Sequence, residues 1–200
     1  MTTEPTKFYK RCYWVAYAIF SIFYRIKVIG RENINDGAAL VCVNHSSVLD
    51  PIFIGLGLGN KHQPHIIAKK ELFSIPILSW LIKGLGAISV DRSKADVGTI
   101  KNSLNYLKKG SKVSIFPEGT RVANDESNEA KQGAIKIAER AAAPILPIYL
   151  PRKKRIFSKV VIVIGEPYII PKQSVKRTHE DYAKLSEEMM EKIIMLRVES

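Results

Sequence analysis

The run "AALVCVN", residues 38–44, does most to limit what this chain can fold into. It is continuously apolar up to its last residue, with neither helical periodicity nor the alternation of a half-exposed strand. Such a run is expected of a strand buried on both faces, in a sheet covered by helices on each side. The rest of the chain agrees. Strand-like segments at 27–33, 65–70, 87–90, 112–116, 144–150 and 159–168 alternate with helical ones. A helix opens at Asp50-Pro51, where Asp suits the N-cap and Pro the first helical position. A second spans 71–86 and is interrupted by Pro76. A third covers 95–109 and stops at Gly110, a fourth covers 131–142, and a charged amphipathic helix ends the chain. The alternation predicts an α/β fold: a single domain with a mixed, largely buried β-sheet flanked by helices.

Two hundred residues suit one domain with a full core. Thirty-one Lys and Arg against 19 Asp and Glu give a net charge of +12. That excess points to nucleic acid, an anionic membrane surface or a phosphorylated substrate, beside the plain reading of a solubilising surface. Dispersed basic residues without a zinc-finger, RRM or basic-zipper signature argue against nucleic acid. Cys12 and Cys42 show no CxxC spacing and read as packing residues. His62 and His65 form an HxxH without acidic or thiol neighbours, so no metal is expected. Gly55, Gly57 and Gly59 do not spell a dinucleotide loop.

Residues 12–24, "CYWVAYAIFSIFY", are uncharged and flanked by Lys7, Lys10, Arg11, Arg25 and Lys27. The stretch is shorter than the roughly 20 apolar residues that span a bilayer. Tyr13, Tyr17, Phe20 and Tyr24 recur at helical spacing. Aromatic rings between basic ends suit the headgroup boundary, and a terminal helix packed on the core is the other reading. We expect a membrane-associating helix over 1–27, on the cytoplasmic face of a membrane in monotopic or peripheral fashion, ahead of the α/β domain over 28–200.

In open α/β sheets ligands collect at strand ends. Four ends here carry unusual polar residues: Asn44-His45 with Asp50, Lys69-Lys70, Asp91-Arg92, and "PEGTR" at 117–121. His45 can accept a proton near neutrality, and a carboxylate on its second nitrogen would fix the tautomer. Positions five apart lie about 140° apart around a regular helix, so a bend must bring Asp50 to the ring. Otherwise Asp50 is simply a cap and His45 a surface residue. Lys69, Arg92 and Arg121 are candidates to converge on an anion, with a turn at Gly119 offering backbone N–H groups.

Four segments resemble, in order, the motifs of the glycerolipid acyltransferases, the family of 1-acyl-sn-glycerol-3-phosphate acyltransferase. "NHSSVLD" (44–50) resembles the NHx4D motif, "GAISVDR" (86–92) the second, "FPEGTR" (116–121) the third and "ILPIYL" (145–150) the fourth. "AKKEL" (68–72) and "KQGAIKIA" (131–138) resemble the connecting stretches, and the likeness covers roughly residues 28–165. Ile88 departs from the bulkier residue frequent in the second motif. The resemblance implies acyl transfer from acyl-ACP or acyl-CoA to the sn-2 hydroxyl of 1-acylglycerol-3-phosphate, giving phosphatidic acid for phospholipid biosynthesis. Another lysophospholipid or a glycolipid is the alternative acceptor. His45 is implied as general base and Asp50 as its orienting partner. Lys69, Arg92 and Arg121 are implied to hold the acceptor phosphate, and Glu118 and Gly119 to shape the glycerol site, with Thr120 among the substrate-binding residues. No cofactor or metal is implied. There is no GxSxG elbow, and Ser46 and Ser47 gain nothing as nucleophiles from mere adjacency to His45. The implied partners are a membrane surface and a lysophospholipid, with acyl carrier protein a further candidate. "PRKKR" (151–155) reads as an added lipid contact, at about 1 kcal/mol per basic residue. One geometric expectation follows: a His45 ring nitrogen within hydrogen-bond reach of Asp50, with Arg92 and Arg121 nearby.

Overall fold

The computed structural model describes residues 4–91, 93, 96–125, 130–171, 173 and 175–198. Helix α1 (Lys7–Phe23) leads into strand β1 (Arg25–Ile29); then come β2 (Ala39–Val43), α2 (Asp50–Leu58) and β3 (Pro64–Lys69). They are followed by α3 (Pro76–Gly84), β4 (Ile88–Val90), α4 (Val97–Lys108), β5 (Lys112–Ile115) and α5 (Gly133–Ala141). The chain ends with β6 (Ile145–Tyr149), β7 (Lys159–Ile164) and α6 (His179–Met195). The strands form one mixed sheet in the order β1-β7-β6-β2-β5-β3-β4, parallel at every pairing except β6 with β7.

All five residues of β2 are buried, and alternation sends them to two different cores. Leu40 and Cys42 join Ile135, Ile137, Met189 and Met190 under α4, α5 and α6. Ala39, Val41 and Val43 join Phe53, Ile54 and Leu58 under α1 and α2. This two-sided cover is what the unbroken apolar run requires. Phe53 is the hinge of the second core: its ring meets Phe20 and Tyr24 edge-on, each at 5.3 Å between centroids. Phe53→Ala is expected to lower stability by about 3–5 kcal/mol, because the ring is fully buried and its neighbours span two helices. Chemical denaturation measures the loss; a change under 1 kcal/mol would mean the site collapses around the gap.

Several expected boundaries move for local reasons. The helix expected over 71–86 is divided: a 3-10 turn (Lys70–Ser74) precedes α3, and Pro76 opens α3 instead of interrupting it. Proline has no N–H to lose at a first helical turn. The helix expected from residue 95 begins at Val97, with Asp96 as cap accepting from Thr99 N–H at 3.0 Å. Asp50 is not a cap. It is the first residue of α2, and the cap position falls on Leu49, which makes no side-chain cap bond. At the N-terminus the helix ends at Phe23, and Arg25 and Lys27 belong to β1, paired in register with Lys159 and Val161. A boundary at residue 27 therefore cuts a strand that is part of the sheet. No helix among the described residues is long and apolar enough to cross a membrane.

Candidate active site

The carboxyl ends of the parallel strands β6, β2, β5, β3 and β4 share one edge of the sheet, and His45 leaves the middle of it. Asn44, buried at the end of β2, ties that end to its neighbour. Its Nδ2 donates to Leu150 O at 2.8 Å and its Oδ1 accepts from Leu150 N–H at 2.7 Å. The main chain of His45 is held on both sides as well. Its N–H donates to Glu118 Oε2 at 2.5 Å; its carbonyl accepts from Val122 N–H at 2.8 Å and from Arg152 Nη1 at 3.1 Å. The imidazole stacks on Phe116, 3.9 Å between centroids and 19° between planes.

His45 Nδ1 lies 2.9 Å from Asp50 Oδ2, the contact expected from the sequence. The bend that makes it possible is built by the carboxylate itself. Asp50 Oδ2 also accepts from Ser46 N–H at 2.7 Å and Ser47 N–H at 2.8 Å, so the carboxylate folds residues 45–47 back over the start of α2. Its other oxygen forms an ion pair with Lys154 Nζ at 2.7 Å. Burial pushes the Asp50 carboxyl up, but the His45 hydrogen bond, the Lys154 charge and the Ser46 N–H outweigh it and hold it below the ordinary carboxylate range. A carboxylate on Nδ1 makes that nitrogen the N–H donor. Nε2 then carries the lone pair, with no protein partner among the described residues, on a side chain only 12% exposed.

Glu118, expected to help shape the glycerol site, is engaged by the protein at both carboxylate oxygens. Its Oε2 takes the His45 N–H and its Oε1 pairs with Arg152 Nη2 at 2.6 Å. Gly119 adopts φ +69°, where a side chain is strained, and a Cβ there would also press on Lys131 Cε at 2.7 Å. Its N–H bonds Phe116 O at 3.0 Å within the turn, so it is not a free anion donor. Thr120 and Arg121 are exposed beside His45, joined to it through the Val122 N–H. Lys69 is exposed at the end of β3, which lies beyond β5 from β2, and pairs with Glu71 at 3.4 Å. Arg92 lies outside the described residues. Of these three cations, Arg121 is the one whose chain neighbour, Val122, bonds the His45 carbonyl among the described residues. Phe116 also lines a cavity of about 310 Å³, whose wall holds the aliphatic Ile67, Val90, Ile100, Ile115 and Ile137 together with Asp91, Asp96, Thr99 and Lys131.

The residues that sequence reasoning missed come from "PRKKR". Arg152 and Lys154 turn inward, with side chains 6% and 3% exposed; Lys153 and Arg155 face out. Arg152 binds Glu118, the His45 carbonyl, Val122 O at 3.2 Å and, through Nε, Asp125 at 2.7 Å. The reading of this cluster as a lipid contact thus fails for two of its four cations. A signal was present: the cluster is a fifth strand end, directly after β6, and β6 adjoins β2.

A fixed imidazole–carboxylate pair stands at the carboxyl edge of a mixed α/β sheet, with no serine or cysteine paired to the ring among the described residues, an arrangement suited to general base catalysis. A sequence model of the family "Acyltransferase" matches residues 25–151, and the chain belongs to that family. A 1-acyl-sn-glycerol-3-phosphate acyltransferase of Bacillus subtilis is 34% identical over 165 residues, 80% of this chain and 81% of the relative. A chloroplastic enzyme of that name from Arabidopsis thaliana is 34% identical over 141 residues, but the chain spans only 38% of its length. The crystal structure of the 1-acyl-sn-glycerophosphate (LPA) acyltransferase, PlsC, from Thermotoga maritima superposes with a TM-score of 0.72 at 27% identity, covering 96% of this chain and 81% of the other.

Proposed function

We propose that this acyltransferase moves an acyl chain from an acyl thioester, acyl-ACP or acyl-CoA, to the sn-2 hydroxyl of 1-acylglycerol-3-phosphate, yielding phosphatidic acid. The observation that carries the mechanism is the open Nε2 of an imidazole whose Nδ1 is bonded to Asp50. Nε2 takes the hydroxyl proton as the oxygen attacks the thioester carbonyl. The tetrahedral oxyanion collapses, the C–S bond breaks, and the imidazolium proton passes to the departing sulfur, leaving a free thiol and neutral His45. Direct attack is supported by the state of the two serines. Ser46 Oγ accepts from Lys154 Nζ at 3.0 Å and Ser47 Oγ from Leu49 N–H at 3.2 Å, and neither is bonded to His45 Nε2. The aliphatic wall of the cavity that Phe116 lines suits an acyl chain. We assign the acceptor phosphate to Lys69, Arg92 and Arg121; the exposed Lys69–Glu71 pair is weak enough to exchange for it. The test is acyl transfer by purified protein in liposomes, with lysophosphatidic acid against other lysophospholipids and a glycolipid. A clear preference for an uncharged headgroup would sink the phosphate assignment.

We place this reaction at the cytoplasmic face of a membrane, with α1 at the interface. On α1, Trp14, Tyr17, Ile19, Ile22 and Phe23 are exposed, with exposed Lys7, Lys10, Arg11, Arg25 and Lys27 around them. Two neighbours extend the apolar face. Trp80 of α3, 67% exposed, meets Phe8 edge-on at 5.3 Å. Phe157, 68% exposed, packs against Phe23 at 6.2 Å. An apolar face rimmed by basic residues fits an anionic leaflet. Glutamate at Ile22, Trp80 and Phe157 together is expected to weaken binding to anionic vesicles about tenfold or more, since three apolar groups leave the interface and three charges oppose it. Vesicle co-sedimentation decides it; unchanged binding would remove this face from the membrane.

A further inference from the structure

Lys154 is the charged side chain at this site that the reaction does not explain. An ammonium this deep needs a reason, because burial alone is unfavourable to it. Burial does push its pKa below the usual lysine range, against the upward pull of Asp50. Its head makes an ion pair with Asp50 Oδ1 at 2.7 Å, donates to Ser46 Oγ at 3.0 Å, and lies 5.9 Å from the centroid of the Phe53 ring. It is the only cation at Oδ1 among the described residues, whereas Oδ2 carries three donors.

We propose that Lys154 is a positioning residue for the His45–Asp50 pair: it clamps the second carboxylate oxygen and balances the charge that Asp50 presents to the imidazole. This rests on the reading of His45 as general base. With Oδ1 held from the 151–155 loop and Oδ2 from the 46–47 backbone, the carboxylate plane cannot turn, and Nδ1 meets it in one orientation. Through Ser46 the same ammonium also steadies the loop between His45 and α2. Its contacts are with Asp50, Ser46 and Phe53, and none among the described residues is with the His45 ring, so it acts through Asp50 and not on the reacting atoms.

The charge has a consequence that a merely structural lysine lacks. The charged groups around His45 are Asp50 of α2, Glu118 after β5, Arg152 and Lys154 after β6, and the exposed Arg121 next to Val122. Glu118 and Arg152 neutralise each other, as Asp50 and Lys154 do. Removing the Lys154 charge leaves Asp50 uncompensated and favours the protonated imidazole. In Lys154→Met, kcat for acyl transfer is expected to fall about 100-fold, with KM for both substrates nearly unchanged. The acidic limb of the kcat/KM–pH profile should move to higher pH by about half a unit or more. Lys154→Arg keeps the charge and should return the limb to its wild-type position with part of the rate. Should the methionine variant not fold, Lys154→Gln, which keeps a polar head beside Oδ1 without the charge, should show the same displaced limb.

Wild-type protein in liposomes is the control. If it does not acylate lysophosphatidic acid, the proposed function fails. If it does, and the limb stays in place in the neutral variants while kcat remains within about threefold, the positioning role alone is overturned. Equal damage in the Met and Arg variants, with the limb unmoved, would reduce Lys154 to packing and overturn it as well.

Discussion

Alanine at position 45 should lower kcat for acyl transfer by about 10³–10⁴ while leaving the protein folded and both KM values within a few-fold. The magnitude is the upper part of what a positioned general base contributes, and the two carboxylates beside the ring, Asp50 and Glu118, are already engaged by protein donors. The selectivity follows from how the residue is held. Its N–H bonds Glu118, and its carbonyl bonds Val122 and Arg152. All three are main-chain contacts that alanine keeps. Only the ring is lost, with its bond to Asp50 and its stack on Phe116. A circular dichroism spectrum and thermal midpoint close to wild type, with turnover at the background rate, is the expected pair of results. Activity within tenfold of wild type would move the base elsewhere.

Sequence and structure part company where side chains of one type can point either way. The two-faced burial of β2 was legible, because no other environment suits five successive apolar residues. The meeting of His45 and Asp50 was legible from the motif it resembles, but not from the spacing of the two residues. Spacing alone allowed a cap. Only three donors on one carboxylate oxygen explain how the loop turns back far enough. The place of Glu118 beside His45 was legible, whereas its ion pair with Arg152, distant in sequence, was not. Arg152 and Lys154 were hidden for the opposite reason. In a chain of net charge +12, a run of four cations reads as surface. Which members face inward depends on the extended path of the loop between β6 and β7. For Lys69 the shared edge was legible, because β3 lies two places across the sheet from β2, but its pairing with Glu71 was not. At the N-terminus hydrophobicity located the helix, but β1 pairing with β7, not composition, decided where it stopped.

Asp50→Asn is expected to lower kcat by about 10²–10⁴ and, unlike the change at His45, to destabilise the fold by about 3–5 kcal/mol. Three donors converge on Oδ2, so asparagine must place its carbonyl oxygen there and turn its NH₂ towards Lys154. Two donors then face each other in a buried site. His45 keeps its tautomer but loses the charge that stabilises its protonated form, and Lys154 keeps a charge without a counterion. The pH dependence has a definite sign. The Asp50 carboxyl lies below its unfolded value, so the stability it contributes is fully present above about pH 4 and is lost as pH falls through the folded pKa. The wild-type advantage over Asp50→Asn, measured by denaturation, should therefore be constant near neutrality and close in acid. Adding Lys154→Met to Asp50→Asn should restore much of the stability, because the stranded cation is removed, yet restore none of the turnover. A double-mutant cycle reads this coupling directly. If stability and activity recover together, Asp50 acts only through the architecture of the loop, and the carboxylate has no part in the chemistry.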